Sequence, residues 1–261
     1  MAEADVRTRI KNTVVINVGG PPAAGKTTTS RILAYILKKY DIKSYYTQLT
    51  GFHYLSFIFS KFICVIFKLL RKISLQAQIL LRRHSRGASK IHPYDFIPFE
   101  YSKRLLKIIY VIEIISIYIK LLVLFVKIKV LKPKIIIVDE GFPNVIFNYI
   151  LFFRTRNSSL YIKMIKHIVQ QLIIFSRNFD VTVMVIYQPN IYDIFEKRVK
   201  RDPDIPKSVI MGTLYWYYAL LPHIIALLKT VPYLKIVEVD NTKYCISYVL
   251  ALISHYFKKY I

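Results

Sequence analysis

The chain has 261 residues, with 39 Lys+Arg against 15 Asp+Glu and a formal net charge of +24. That length suits one large domain with a substantial core, and the charge points to anionic partners: nucleotides, phosphorylated metabolites, nucleic acid or an acidic membrane surface. Two cysteines, Cys64 and Cys245, exclude a disulfide framework, and the sequence has no CxxC or Cys/His cluster of zinc spacing.

The first twelve residues, MAEADVRTRIKN, are polar and lack the apolar region of a signal peptide, so a cytoplasmic location is expected. Val14 to Val18 is β-branched and apolar apart from Asn17, which predicts a buried parallel strand. Gly20-Pro21-Pro22-Ala23-Ala24-Gly25-Lys26-Thr27 follows and matches G-x-x-x-x-G-K-[ST] at every fixed position. In such a loop glycines allow tight turning, successive backbone N–H groups form an anion-binding concavity, and the next helix adds the positive end of its dipole. Residues Gly20 to Thr28 are therefore the expected phosphate cradle. Lys26 would reach the β- and γ-phosphates and the Thr27 hydroxyl would bind Mg²⁺. The helix is predicted from Gly25 to about Tyr40, and a second strand near Ser44–Gln48.

Residues 52–81 and 103–131 are long, apolar and basic, and are predicted helical. Between them lies a polar break at 82–102 carrying Arg82, Arg83, His84, Arg86, Lys90 and His92, suited to a lid or acceptor-binding loop. Residues 105–126 are about long enough to span a bilayer, but Glu113 and Lys120 are costly at its middle. The sequence favours a pair of helices covering a sheet. Basic helices lying on an anionic membrane surface, as a peripheral contact, are an intermediate reading that the charge also fits.

"PKIIIVDEGFP" at 133–143 predicts a second buried strand with Asp139 at its carboxyl end, where ligands bind in open α/β sheets. It has the form of a Walker B strand: Asp139 would reach the Mg²⁺, Glu140 could activate an attacking water or hydroxyl, and Gly141 would turn the chain. The roles of the two carboxylates remain interchangeable at this level. Helices at about 158–177, 190–200 and 208–229, strands at 181–189 and 234–241, and a final helix complete the pattern. Strands alternating with helices predict an α/β three-layer P-loop NTPase fold. It is expected to form a single domain over 1–261, with a mostly parallel sheet of about five strands and a helical insertion or lid at about 52–131. "EKRVKR" after the 181–189 strand supplies Arg198 and Arg201, whose guanidinium groups suit a transferring phosphoryl group. Tyr215, Trp216, Tyr217 and Tyr218 are read as packing residues.

The loop at 20–27, the "VDEG" strand end at 138–141, the "VIYQP…EKRVKR" strand and basic helix, and the late "IVEVDN" strand come in a familiar order. Together they resemble the thymidylate-kinase-like branch of the P-loop nucleoside and nucleotide kinases, over about residues 12–250. The resemblance implies an ATP- and Mg²⁺-dependent phosphotransferase. Lys26 and Thr27 would hold ATP·Mg²⁺, Asp139 would contact the acceptor hydroxyl or the metal, and Arg198 and Arg201 would serve as lid arginines. Glu140-Gly141 stands where those enzymes carry an arginine and an aromatic, which leaves the acceptor open. The alternative is a P-loop ATPase coupled to a macromolecular or membrane partner. Nucleic acid is disfavoured because the basic residues are scattered among apolar helices and no RRM, KH or zinc pattern occurs. Oligomeric state is left open, a homodimer included.

Overall fold

Five apolar or β-branched stretches become strands in the computed structural model: β1 (Val14–Gly19), β2 (Ser44–Gln48), β3 (Ile135–Asp139), β4 (Asp180–Tyr187) and β5 (Leu234–Asp240). The six helices among the described residues are α1 (Lys26–Lys39), α2 (Lys103–Leu131), α3 (Phe142–Arg154), α4 (Ser158–Asn178), α5 (Ile191–Arg201) and α6 (Lys207–Lys229). The structure describes residues 13–49, 103–154 and 158–241, with isolated positions at 55, 58, 59, 62, 251 and 254. Most of the predicted helix at 52–81, the basic break at 82–102 and the final helix lie outside the described residues.

The strands form one sheet in the order β2-β3-β1-β4-β5, and every pairing is parallel. The chain is thus α/β with a five-stranded, all-parallel sheet. Parallel neighbours need crossover connections, and helices supply those described here. Helices on both faces explain why β1, β3 and β4 read as continuous apolar runs rather than alternating ones. Val15, Ile136 and Val183 point into one apolar cluster with α2, α3 and α4. Val14, Ile16, Ile137 and Met184 point into another with α1 and α5. Helix α6 serves both: Ile210 and Leu214 join the second cluster, and Tyr217 to Leu228 join the first.

The sequence reading assigned no helix between the exit of β3 and residue 158. The structure places α3 there. Its residues FPNVIFNYILFFR are apolar around most of the circumference, with buried Phe142, Val145, Ile146, Phe147, Tyr149 and Phe153. Its apolar residues follow those of β3 across a turn of only two residues, Glu140 and Gly141, and apolar content alone does not show where a buried strand gives way to a buried helix.

Helix α2 is different. Its inward face, including Leu106, Ile109, Leu124 and Ile128, joins the core. Glu113 is fully buried and accepts a 2.7 Å hydrogen bond from the Tyr149 hydroxyl. Its outward face stays apolar and exposed. By length and composition alone, Arg104–Leu131 and Lys207–Lys229 are long and apolar enough to cross a membrane, and 33% and 39% of an apolar 18-residue stretch in each are buried.

Candidate functional site

The strand order sets β1 between β3 and β4, so the loop after β1 emerges where the connections diverge to either side of the sheet. In open α/β sheets this switch point is where ligands bind. The loop begins at Gly20, whose φ is +140°. A Cβ at that position would lie 1.9 Å from the Ile186 carbonyl oxygen, so only glycine fits against β4. The Gly20 N–H donates to Asn144 Oδ1 (3.1 Å), and Asn144 Nδ2 donates back to the Gly20 carbonyl (3.0 Å). At the far end of the loop, Asn241 Nδ2 donates to the Ala24 carbonyl at 2.6 Å. Its backbone N–H donates to Tyr187 O at 2.8 Å. Two asparagines from distant parts of the chain thus fix the loop from α3 and from the end of β5.

Helix α1 starts at Lys26, with left-handed Gly25 as its cap residue, no side-chain cap and no acidic residue in its first turn. Its first amides are therefore left for an anion, and the helix dipole favours one there. Lys26 is buried, and its ammonium donates to the Pro21 carbonyl at 2.8 Å. Thr27 is half-buried and Thr28 exposed. Burial pulls the Lys26 pKa down to about 8. Glu140 and Asp139 oppose that shift, while Arg201 and Arg198 add to it. The five residues singled out from sequence as chemical are therefore gathered within electrostatic reach of one ammonium group.

Asp139 ends β3 fully buried. Its Oδ2 accepts from the Tyr46 hydroxyl (2.8 Å), and its Oδ1 accepts from the Glu140 N–H (2.9 Å). Burial and this bond to Asp139 raise the Tyr46 pKa, which keeps the phenol a donor. The turn that follows is made differently from the sequence expectation. Glu140, not Gly141, adopts the left-handed conformation, at φ +50°. Gly141 serves close approach instead: a Cβ there would lie 1.9 Å from Asn17 Oδ1. That oxygen accepts from the Phe142 N–H at 2.9 Å, and the Gly141 N–H donates to Val18 O at 2.9 Å. Asn17, which looked like a blemish in an apolar strand, thus ties β1 to the exit of β3.

On the other side of β1, helix α5 follows β4. Asn190 caps it, its side chain accepting from the Tyr192 N–H. Arg198 is only 8% exposed, and its Nε and Nη1 have no hydrogen-bond partner. Its nearest charge partner is Asp202, 3.6 Å from Nε. Burial lowers its pKa, against the pull of Asp202. Arg201 is more exposed and pairs with the same Asp202 carboxylate at 3.0 Å. A buried guanidinium with unused donors is costly unless an anion completes it.

Tyr217, read from sequence as a packing residue, is fully buried against Phe147, with ring centroids 4.2 Å apart. Its hydroxyl lies near the Gly20 backbone and Glu140 without a well-formed hydrogen bond. Burial, reinforced by the Glu140 charge, raises its pKa strongly. Tyr46, Asn144 and Asn241 are not among the site residues that the sequence suggests, because each meets the loop or the acidic pair through tertiary packing, whereas Tyr217 is the packing residue expected of it. Only the asparagine inside the apolar β1 run carried a visible signal. A scan against protein-family models finds no match for this chain, and a search of curated proteins finds none either.

Proposed function

We propose that the protein is an ATP-dependent phosphotransferase of the P-loop type, with a three-layer fold akin to the thymidylate-kinase-like branch of nucleotide kinases. The observation that carries this reading is the placement of β1 between β3 and β4. It puts the loop with Lys26 between an acidic strand end on one side and a basic helix on the other, where Lys26 senses the charges of both.

In this reading the amides of Ala23 and of Gly25 to Thr28, at the N-terminus of α1, take the α- and β-phosphates; Pro21 and Pro22 have no N–H, and the Gly20 N–H is held by Asn144. Lys26 exchanges its bond to Pro21 O for the β- and γ-phosphates. Arg198 offers Nε and Nη1, which lack hydrogen bonds and have only Asp202 3.6 Å from Nε, to the phosphoryl group in transfer, and Arg201 supplies a second, more exposed charge. Asp139, held in one orientation by Tyr46, and Glu140 divide metal binding and acceptor activation between them. Thr27 and Asp139 are two hard oxygen donors. Among the described residues no group of three His, Cys, Asp or Glu could cage a metal. Such a donor set fits Mg²⁺ carried in on nucleotide phosphates, with water completing its shell, rather than a resident ion. Thr27 and Asp139 would hold the Mg²⁺, which would supply charge neutralisation for the transferring phosphoryl group. The acceptor is a small molecule, and the site is read as facing the cytoplasm.

The test supplies purified protein with γ-labelled ATP·Mg²⁺ and a pooled panel of nucleosides, nucleoside monophosphates and sugars. Label in a new product, lost in Lys26→Ala, is the expected result and names the acceptor. Label only in free phosphate, also lost in Lys26→Ala, replaces the kinase with an ATPase driven by the Asp139-Glu140 pair. Activity that survives Lys26→Ala overturns both.

A further inference from the structure

Helix α2 carries two apolar faces, and among the described residues only one of them is packed into the core. Ile108, Val111, Ile115, Leu122, Val126 and Val130 are exposed, Leu122 at 63% and Val130 at 72%. Their spacing of three, four or seven residues puts them on one side of the helix, opposite the buried Leu106, Ile109 and Leu124. At a rise of about 1.5 Å per residue the stripe runs for roughly 33 Å. That is longer than the isolated apolar contacts normal on a soluble surface.

The charges around the stripe say what covers it. On a wheel of about 3.6 residues per turn, Arg104 and Lys107 fall on the stripe's own face at one end and Lys129 at the other. Glu113 is the single acidic residue in α2, and it is buried on the opposite side. The outer face is therefore apolar along its length and basic at both ends, with no negative charge. A second copy packed antiparallel across it would set Arg104 and Lys107 against Lys129 of the other chain. Like charges facing each other disfavour that pairing, and a net charge of +24 disfavours it further. Crossing a bilayer is equally disfavoured, because the other side of α2 is built into the core and holds Glu113. An anionic lipid surface satisfies both features at once: acyl chains meet the stripe and headgroups meet its basic ends.

We propose that the outer face of α2 docks on anionic membranes, with the helix lying in the plane of the interface. This rests on α2 alone and is independent of the nucleotide chemistry. The geometry also relates the surface to the candidate site. Lys127, near the C-terminal end of α2, donates to the Tyr45 hydroxyl in β2, and Ile117 and Lys120 line one cavity with Leu49 and Phe142, which follow β2 and β3. The middle of α2 thus lies near the strand ends from which Asp139 emerges.

The experiment is co-sedimentation of the full chain with vesicles of phosphatidylglycerol and phosphatidylcholine, against vesicles of phosphatidylcholine alone. Expected are binding to the anionic vesicles only, release on raising salt from 0.1 to 1 M, and a loss of about tenfold or more in Leu122→Glu/Val126→Glu. Both substitutions are on exposed positions, so circular dichroism and thermal melting should be unchanged. Arg104→Glu/Lys107→Glu should weaken binding and flatten its salt dependence without touching the stripe. Equal binding to both vesicle types overturns the proposal. So does binding that the double glutamate variant retains, or a dimer in light scattering that this variant dissociates while vesicle binding is absent.

Discussion

The loop after β1 and the outer face of α2 both present positive charge, and they do so in opposite ways. In the loop the cations are few and buried. Lys26 and Arg198 have lost water, and Arg198 keeps donors in hand. On α2 they are exposed, separated and set at the ends of an apolar stripe. Desolvated charge on a fixed scaffold favours one ligand geometry and is little screened by salt. Exposed charge on a greasy helix tolerates any anionic surface and fades as salt rises. On the two proposals, one region would take a specific polyanion and the other a diffuse one.

If the two regions are separate devices, they should come apart on mutation. Lys26→Ala should cut product formation by about 10²–10³-fold or more while leaving vesicle co-sedimentation as in the wild type. Leu122→Glu/Val126→Glu should do the reverse with a soluble acceptor. Coupled losses in both variants would show one cooperative surface instead. A smaller but sharper effect concerns the join between β1 and β3. Gly141→Ala forces a Cβ onto Asn17 and should destabilise the fold by about 3 kcal/mol in chemical denaturation. A loss under 1 kcal/mol would mean that Asn17 moves freely and does not register the acidic turn against the loop.

The smallest effect is in pH. Lys26 titrates near pH 8 in the free protein, against 10.5 for an ordinary lysine. A bound polyphosphate favours the charged form and raises that value again. Between pH 8 and the bound-state pKa, binding should take up a proton, and nucleotide affinity should fall by up to about tenfold per pH unit. Below about pH 8 it should be flat. Calorimetry at pH 7 and 9 in buffers of different ionisation enthalpy reads this directly. A dissociation constant unchanged over that range would place the titration of Lys26 elsewhere. Vesicle docking through Arg104, Lys107 and Lys129 should not show the same step.

How much of this was legible in the sequence follows from how local each feature is. The strand at Val14, the glycine-bracketed loop, the helix start at Lys26 and the 103–131 helix are written in consecutive residues, and the structure has them at nearly those bounds. Helix α3 was not legible, because its apolar run follows that of β3 after a two-residue turn, and a buried helix segment next to a buried strand is not told apart by apolar content. The supports of the loop were not legible either. Asn144 reaches Gly20 across 124 positions, and Asn241 reaches Ala24 across 217. Asparagine is common in turns, so nothing in either neighbourhood marks it as a clamp. The two faces of α2 could be listed from sequence, but only packing shows which one the core consumes.

The bond from Lys26 to the Pro21 carbonyl gives the resting loop a built-in competitor. The ammonium has three donors, so an anion that recruits Lys26 competes with that carbonyl for its place rather than having to expel it. A chloride or a single carboxylate would gain few contacts in that competition. A triphosphate would gain several, if the amides of the loop and the guanidinium groups across the site engage together. The protein would therefore sort its ligands by valency before it reads any base or sugar, and would do so with an atom contributed by the loop's own proline.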